Sequence, residues 1–369
     1  MGMLLAGGCT RSHPPEEPPE RERVIVDGGG ERASNRDDSD LAGCATWVAP
    51  VDTTQLSVGA NHVCALGVDG RVRCWGSGEG GQLGDGSRTS SRGWVDVSGL
   101  SDARRVSAGG GFTCAVRSDG SVACWGGLGA GPRPGSGAGV AASTTPEPVP
   151  GLHDAVDVAS GAALACALDA RGRARCWGAG AGGVQARLDG LSRLVQIDAG
   201  YQHACGLDRD GAVHCWGGND AGQLGDGSRE RALAPVRVPL DRPAVAIATG
   251  DAHTCALMND GTLSCWGSNR YGQLGDGTTV DRLTPASVAG LTDVTSVHAG
   301  RHTCAVTRGQ TLCWGENRYG ELYDGTRVPR ARPHATPIAG RMDVHAVTTC
   351  SERAADTIEC CGRVTPVER

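Results

Sequence analysis

The sequence predicts an all-β protein, a seven-bladed β-propeller of about 50-residue repeats preceded by a disordered N-terminal tail. The first observation behind this prediction is a hairpin unit, clearest over His253–Gly267. Two short β-prone stretches flank Asn259-Asp260-Gly261, and these residue types favour tight hairpin turns. The second observation is recurrence, since seven such units occur with first cysteines 39 to 52 residues apart (Cys166 to Cys205 and Cys114 to Cys166). Repeats of this length made of short strands indicate a propeller rather than a helical solenoid.

The amino end, residues 1–9, resembles a truncated signal remnant. Leu5-Ala6-Gly7-Gly8-Cys9 resembles a bacterial lipobox, in which small residues precede a cysteine that becomes lipidated. The segment lacks the charged start and the full apolar core of a signal peptide, so the alternative is a fortuitous short apolar start. The lipobox interpretation predicts Cys9 as the lipidation site and a cell-envelope location.

Residues 10–40 are rich in Pro, Glu, Arg, Asp and Ser. Such a composition buries too little apolar area to offset the entropy cost of ordering. We therefore expect a disordered linker that holds the following domain away from a membrane. Residues 41–369 are predicted to form the propeller.

The fifth unit predicts how one blade is built. Pro235–Val238 and Ala244–Thr249 are read as two strands, and the hairpin supplies two more. A loop containing Gly272-Gln-Leu-Gly-Asp-Gly277 follows, and related loops occupy 81–86, 222–227 and, altered, 320–325. The second and third units lack this loop. The second carries instead a Gly/Pro/Ala/Ser-rich stretch, 126–150, which is expected to be mobile.

The chain has 17 cysteines, and folding each hairpin about its tip sets two of them opposite each other. The predicted disulfides in the hairpins are Cys64–Cys74, Cys114–Cys124, Cys166–Cys176, Cys205–Cys215, Cys255–Cys265, Cys304–Cys313 and Cys350–Cys360. With Cys9 assigned to lipid, Cys44 and Cys361 remain, one at each end of the domain. They are predicted to form an eighth disulfide that closes the ring, the alternative being a free thiol at Cys361.

Zinc is the competing interpretation of the hairpins, because a histidine lies two residues before the first cysteine in four units (His62, His203, His253 and His302). Phe112, Leu164 and Thr348 hold that position in the other three units, so a metal motif is disfavoured, and free thiols are the remaining alternative to disulfides. The histidines are interpreted as structural, bonding backbone within the blade. No metal ligand, cofactor-binding residue or catalytic residue is predicted.

The repeated tryptophan is interpreted as a packing wedge between blades, since only 4% of the residues are aromatic and the core needs large side chains. It recurs at Trp75, Trp125, Trp177, Trp216, Trp266 and Trp314. The Asp-Gly pairs are interpreted as hairpin tips, because they lack the dense oxygen-ligand spacing of a calcium loop.

Together these motifs resemble the regulator-of-chromosome-condensation repeat: Gly-x-x-His-x-Cys-Ala-Leu, then Asp-Gly, Val-x-Cys-Trp-Gly and Asn-x-x-Gly-Gln-Leu-Gly-Asp-Gly. The resemblance covers about residues 54–362 and implies a seven-bladed propeller. Known members of the family include a guanine-nucleotide exchange factor for a nuclear GTPase and a secreted propeller that inhibits β-lactamases. Both act by binding another protein, which the resemblance implies as an expectation here.

The function predicted from the sequence is a non-enzymatic propeller scaffold, secreted or lipid-anchored in the cell envelope. It is expected to be a monomer that binds a protein or extracellular ligand through its loop face. The formal net charge of −6 disfavours nucleic acid or an anionic membrane surface as the main partner. No Gly-x-Ser-x-Gly, His-Glu-x-x-His or phosphate-binding Gly-Lys-Ser/Thr motif is present. The alternatives are a hydrolase or lyase with its site in the central channel, or guanine-nucleotide exchange on a small GTPase.

Overall fold

The structure, a computed structural model, describes residues 44–50, 52–127, 142–178, 186–188, 191, 193–354 and 357–363. The chain divides into residues 1–32 and 33–369, and every described residue belongs to the second unit. The predicted signal remnant (1–9) with Cys9, and the predicted linker (10–40), lie outside the described residues.

The described residues form seven antiparallel sheets of four strands each, which confirms the predicted seven-bladed propeller. Blade 1 consists of β2 (Thr53–Val58), β3 (His62–Gly67), β4 (Val72–Gly76) and β5 (Ser91–Asp96). Blade 2 consists of β6 (Ala103–Ala108), β7 (Phe112–Arg117), β8 (Val122–Gly126) and β9 (Ser143–Pro148). Blade 3 consists of β10 (Ala155–Ser160), β11 (Leu164–Asp169), β12 (Ala174–Gly178) and β13 (Ala186–Arg187).

The remaining blades repeat this order. Blade 4 consists of β14 (Leu194–Ala199), β15 (His203–Asp208), β16 (Val213–Gly217) and β17 (Ala232–Arg237). Blade 5 consists of β18 (Ala244–Thr249), β19 (His253–Met258), β20 (Leu263–Gly267) and β21 (Arg282–Ser287). Blade 6 consists of β22 (Val294–Ala299), β23 (His302–Thr307), β24 (Thr311–Gly315) and β25 (Arg330–Thr336). Blade 7 consists of β26 (Met342–His345), β27 (Thr348–Ala354), β28 (Thr357–Gly362) and β1 (Cys44–Val48).

The first strand of each blade lines a central channel of about 380 Å³. Both ends of the channel open onto faces built from turns and loops, because antiparallel strands bring alternate connections to opposite ends. Within the described residues, no helix has the length and apolar character needed to span a membrane.

The hairpin of each blade follows from its turn residues. In blade 5, Gly261 takes φ of 78°, and the Asp260 carboxylate accepts the Thr262 backbone N–H at 3.0 Å. This turn sets the register so that Cys255 lies directly opposite Cys265. The shortened hairpin of blade 6 keeps the same relation, with Cys304 opposite Cys313.

Blade 7 is completed by the strand that begins the propeller. β1 pairs antiparallel with β28, which places Cys44 opposite Cys361. The two ends of the domain therefore share one sheet, and the ring is closed by strand pairing as well as by the cysteine pair.

Two strand expectations need correction. The stretch 235–238 was expected to open the fifth blade, but β17 pairs with β16 and is the outer strand of blade 4. The loop after each hairpin leads back along the same sheet, so the fourth strand follows the hairpin instead of preceding the blade. Of the stretch 126–150, which the sequence predicts to be mobile, residues 128–141 lie outside the described residues, and Ser143–Pro148 form β9.

The core lies between successive blades, and the repeated tryptophan is central to it. All six repeated tryptophans are buried, which agrees with the packing interpretation. Trp314 of blade 6 packs with Leu263 and Leu274 of blade 5, together with Val294 and Val297 of its own blade. Burying such a side chain stabilises the fold by about 2–3 kcal/mol, so each blade depends on its neighbour.

Candidate functional site

The two faces of the propeller carry different connections. The hairpin-tip face carries the turn of each cysteine-paired hairpin and the links between blades. The loop face carries the turns between the first and second strands and the long loops between the third and fourth strands. A binding surface on either face would be formed by these connections, as in most scaffolds whose strands are buried.

On the hairpin-tip face, many charges are paired within the face. Arg117 lies 3.0 Å from Asp102, which belongs to the link that enters its blade, and the Asp102 carbonyl accepts the Ser118 N–H. Comparable pairs between a hairpin tip and an adjoining link are Arg173–Asp154, Arg193–Asp210, Arg242–Asp260 and Arg308–Asp293. These contacts fasten the tips of blades 2 to 6 to their links, so much of the charge on this face is already paired.

The four histidines before the hairpin cysteines bond across the interface between blades. Each Nε2 lies 2.5 to 3.0 Å from a threonine hydroxyl of the next blade: His62–Thr113, His203–Thr254, His253–Thr303 and His302–Thr349. The sequence interpretation of a structural role holds, but the expected backbone partner within the blade is wrong. Because this side chain faces the next blade, its Nε2 meets a hydroxyl there.

Each of these threonine hydroxyls also donates a hydrogen bond to a loop carbonyl of the preceding blade. Thr303 Oγ1 donates to the Gln273 carbonyl oxygen at 2.8 Å, and Trp314 Nε1 donates to that carbonyl oxygen at 2.9 Å. Since the hydroxyl proton is used there, His253 must donate from Nε2. Burial lowers the pKa of His253 to about 3, so its ring is neutral at physiological pH.

Where phenylalanine or leucine replaces the histidine of one blade, alanine replaces the threonine of the next blade. Phe112 packs with Ala165 of the next blade, and Leu164 packs with Ala204. Thr348 holds the position in blade 7. Blades 2 and 3 lack the long Gly-Gln-Leu loop, whose carbonyl receives the threonine hydroxyl at the other interfaces. His, Thr and loop thus occur together or are absent together.

Blade 7 has a different wedge. Cys361 stands where other blades have tryptophan, and Tyr323 stands where the other long loops have glycine. Tyr323 is 2% exposed, and its hydroxyl donates to the Glu359 carbonyl at 2.7 Å. At Gly275, by contrast, an added Cβ would lie 2.6 Å from Trp314 Nε1. The tyrosine thus enters from the loop to fill the space that tryptophan fills elsewhere.

The long loops of blades 4, 5 and 6 are each held by one asparagine, and Gly78 stands at that position in blade 1. In blade 5, Asn269 Nδ2 donates to Asp276 and to the Thr278 and Val280 carbonyls, while its Oδ1 accepts the Leu274 N–H. Asn219 and Asn317 repeat this pattern. The loop backbones of these blades are therefore alike, and they differ mainly in the side chains that they expose.

The channel is polar, but its side chains are largely used to join blades. The first strand is the inner edge of each sheet, so some of its N–H groups have no strand partner. Side chains of the preceding blade accept them: Ser57 from Ala108, Ser107 from Ser160, Asp198 from Thr249 and Asp343 from Val58. Gln55 and Gln196 each bond both the N–H and the carbonyl of one residue in the next blade.

Acid groups with a raised pKa in the channel would indicate an enzyme site. Burial raises the pKa of Asp198 to about 6, and burial also raises the pKa of Asp157. Both oxygens of Asp198 accept backbone N–H groups, from Ala199 and Thr249 at 2.9 and 2.7 Å. This carboxylate is therefore committed to structure. Among the described residues, no group of three or more His, Cys, Asp or Glu side chains is placed to hold a metal ion.

The loop face carries a cluster of aromatic and basic side chains in three consecutive blades. We call this the Tyr–Arg sector: Tyr201, Arg270, Tyr271, Arg301, Arg318 and Tyr319. The chain has four tyrosines, and all except Tyr323 belong to it. Tyr201 is 49% and Tyr319 38% exposed.

Contacts within the sector hold its side chains in place. Arg318 Nη2 donates to the Tyr271 hydroxyl at 2.7 Å, and its guanidinium carbon lies 4.8 Å from the Tyr271 ring centre. Beneath the surface, the buried Glu316 lies 3.2 Å from Arg318 and 3.8 Å from Arg301. Arg301 also pairs with Asp251 at 2.7 Å.

The cysteines are paired throughout the described residues. Each of the seven hairpin pairs, and Cys44 with Cys361, is joined by a disulfide bond. The cysteines of the hairpins therefore have no free thiolate for a zinc ion. Cys9 lies outside the described residues.

A model of the RCC1-like domain family matches residues 29–355, most of the chain. The chain belongs to the RCC1-like domain family. The match begins within the segment predicted as linker and ends before β28, whereas the strands of the RCC1-like ring run from Cys44 to Gly362.

Solved structures similar to this RCC1-like chain include Prp20p of Saccharomyces cerevisiae, whose reported binding properties concern Gsp1p and histones. It is 19% identical with a TM-score of 0.67, and the match covers 88% of this chain and 92% of Prp20p. Human WBSCR16 is 18% identical with a TM-score of 0.71, over 85% and 87% of the two chains. The ectodomain of the Physcomitrella patens receptor kinase CR4 is 21% identical with a TM-score of 0.53, over 85% and 74%.

These identities show a shared fold and no more. No curated protein sequence matches this RCC1-like chain. Sequence reasoning missed the threonine partners and the Tyr–Arg sector. Both left a signal: Thr directly follows the histidine position in the unit after each histidine, and Arg270-Tyr271 replaces the Asp220-Ala221 of the equivalent loop.

Proposed function

We propose that this chain is a non-enzymatic propeller scaffold of the cell envelope, or a secreted one, which binds a protein or another extracellular ligand through its loop face. The Tyr–Arg sector supports this proposal most directly. Tyrosine and arginine are the side chains most enriched at the energetic centres of protein interfaces. Here Arg270-Tyr271 and Arg318-Tyr319 lie on loops whose backbones are fixed by Asn269 and Asn317.

The disulfides support the location. Seven hairpin bonds and one bond between the domain ends suit an oxidising compartment, because cytosolic thiols are kept reduced. Within the proposal, a lipid on Cys9 anchors the chain and residues 10–40 hold a monomeric propeller away from the membrane. The exchange-factor alternative would place these bonds in a reducing compartment and has no support from a specific contact.

The channel enzyme remains the second candidate, and Asp198 is the observation in its favour because its pKa is raised to about 6. A hydrolase that used this group would show activity on extracellular substrates that is lost in Asp198→Ala. The commitment of both Asp198 oxygens to backbone N–H groups favours the scaffold.

The test is capture from cell-envelope extracts with the immobilised full chain. We expect wild type to retain at least one protein that the doubly substituted sector variant Tyr201→Ala/Tyr319→Ala does not retain. The matched control is Arg71→Ala on the hairpin-tip face, which should retain the same protein. Equal capture by all three chains, or none by wild type, would contradict binding through the loop face.

A further inference from the structure

The sector contains a substitution pattern that the fold does not require. Four long loops share one backbone, and the two residues before the Gly-Gln-Leu stretch are Glu79-Gly80 in blade 1 and Asp220-Ala221 in blade 4. Blades 5 and 6 carry Arg270-Tyr271 and Arg318-Tyr319 there. In all four loops the second of these residues donates its N–H to the Gln or Glu two positions later, so the backbone role is the same. The change from acid and small residue to Arg and Tyr therefore alters only what the surface presents.

The acidic side chains that contact the sector are more buried than its arginines. Glu316 is 1% exposed and the Asp251 side chain 19% exposed, whereas the side chains of Arg301 and Arg318 are 47% and 56% exposed. Arg270 is exposed as well. The carboxylates hold the guanidinium groups from below, and the outer surface presents positive charge although the whole chain has a net charge of −6.

The guanidinium groups are also oriented by the tyrosines. Two of them lie over the Tyr271 ring, with Arg270 at 6.0 Å and Arg318 at 4.8 Å from its centre. Arg363 lies 6.0 Å from the Tyr319 ring centre and extends the row toward blade 7. Guanidinium groups held in this way lose little freedom on binding a carboxylate, with which they form paired hydrogen bonds.

We propose that the Tyr–Arg sector binds an acidic segment of a partner protein, whose carboxylates pair with Arg270, Arg301 and Arg318 and whose backbone lies along the tyrosine rings. This inference rests on the proposed function and names the chemistry of its partner. A protein segment fits better than a nucleic acid or an anionic membrane, because the net charge of −6 on the whole chain disfavours an extended polyanion.

The test is fluorescence anisotropy of a labelled oligoglutamate peptide with the full chain at low salt. Wild type should bind it and should bind more weakly as salt rises. The variant Arg270→Asp/Tyr271→Ala, which copies the blade 4 loop, should bind at least about tenfold more weakly, as expected for loss of a central Arg and Tyr. The reciprocal variant Asp220→Arg/Ala221→Tyr should bind more tightly than wild type.

The outcomes separate this proposal from the proposed function. Unchanged affinity in the blade 5 variant, or equal binding of a labelled oligolysine, a single-stranded oligonucleotide or phosphatidylglycerol vesicles, would overturn the acidic-segment proposal. Envelope capture that persists in the blade 5 variant would overturn it too, while leaving loop-face binding intact. A folding control is supplied by the circular dichroism of both variants, since each copies a pair already accommodated in this backbone.

Discussion

His253 and Phe112 occupy the same place in two blades, and the difference between them is a titratable ring. Burial lowers the pKa of His253 to about 3 and that of His203 to about 4. A histidine with a lowered folded pKa contributes stability that is complete above its unfolded value of 6.5 and is lost as pH falls toward the folded value. The buried histidines therefore make the ring sensitive to acid.

The double variant His253→Phe/Thr303→Ala copies the Phe112–Ala165 interface and removes one such group. Between pH 7 and pH 4, wild type should lose about 3 kcal/mol more unfolding free energy than this variant, from a pKa difference of about 3.5 units. Urea unfolding at several pH values measures this. Parallel pH profiles for the two proteins would show that His253 is not the acid-sensitive group.

Glu321 makes the unfolding free energy depend on pH in the opposite direction. It stands where other long loops have glutamine, and burial raises its pKa to about 7, with the charge of Glu316 adding to the rise. A carboxyl whose folded pKa is raised contributes stability below its unfolded value of 4.5, and that contribution is lost as pH rises to 7.

Glu321→Gln should therefore be neutral at pH 4 and stabilising by about 2–3 kcal/mol at pH 8. Gln273→Glu, which makes the reverse change in blade 5, is the matched variant and should destabilise at pH 8. Denaturant midpoints at the two pH values decide the matter. Stabilisation by Glu321→Gln that is equal at both pH values would argue against ionisation as the cause.

At the scale of one element, each of the four long loops packs as part of the next blade. Its carbonyl accepts both the threonine and the tryptophan across the interface, as Gln223 does for Thr254 and Trp266. Where the preceding blade has no such loop, Trp177 and Trp216 have no partner for Nε1 among the described residues. The long loop of one blade and the tryptophan of the next blade therefore pack together.

The blade 6 loop offers a reciprocal test of this packing. Tyr323→Gly should empty the space beside Cys361 and cost about 3–5 kcal/mol, as large-to-small core changes do. Gly275→Tyr should also destabilise, by about 3 kcal/mol, because Trp314 already fills the space. Thermal unfolding of both variants checks this. If Gly275→Tyr did not lower the unfolding temperature, the loop backbone would not be constrained by its contact with Trp314.

The hairpins, their cysteine register and the seven-fold count were readable from the sequence because Asn259-Asp260-Gly261 and its relatives impose a local turn. The placement of 235–238 was not, since a short strand can pair with the sheet before it or after it. The partner of His253 was also not readable, because Thr303 lies in the next blade and only the closed ring brings them together. The Tyr–Arg sector depends on the same long-range placement.

At the scale of the whole molecule, the bond between Cys44 and Cys361 spans a sequence separation of 317 residues. In the chain-entropy model, its loss costs on the order of 5 kcal/mol, as an upper bound. Cys44→Ser/Cys361→Ser should unfold at a lower temperature than wild type and should still form the seven hairpin bonds. A non-reduced digest of wild type without a 44–361 cross-linked peptide would contradict the closure.

Thiol counting extends this prediction to the whole chain. Sixteen of the 17 cysteines belong to the eight disulfide pairs, which leaves Cys9. Denatured, non-reduced protein should show about one free thiol when Cys9 is unmodified and none when it carries a lipid.

Because β1 pairs with β28, the last described strand of the chain, the ring can close only after all seven blades have been made. Seven of the disulfides join cysteines 9 or 10 residues apart, so each can form soon after its hairpin leaves a ribosome or an export channel. Cys44 emerges before all of them, yet its partner emerges last. In the proposed exported protein with a lipid on Cys9, Cys44 is an unpaired thiol during translocation, and the next cysteine in the chain is Cys64. Strictly sequential oxidation would join those two and displace Cys74, so the native pattern requires either that Cys44 waits or that a disulfide isomerase corrects the error.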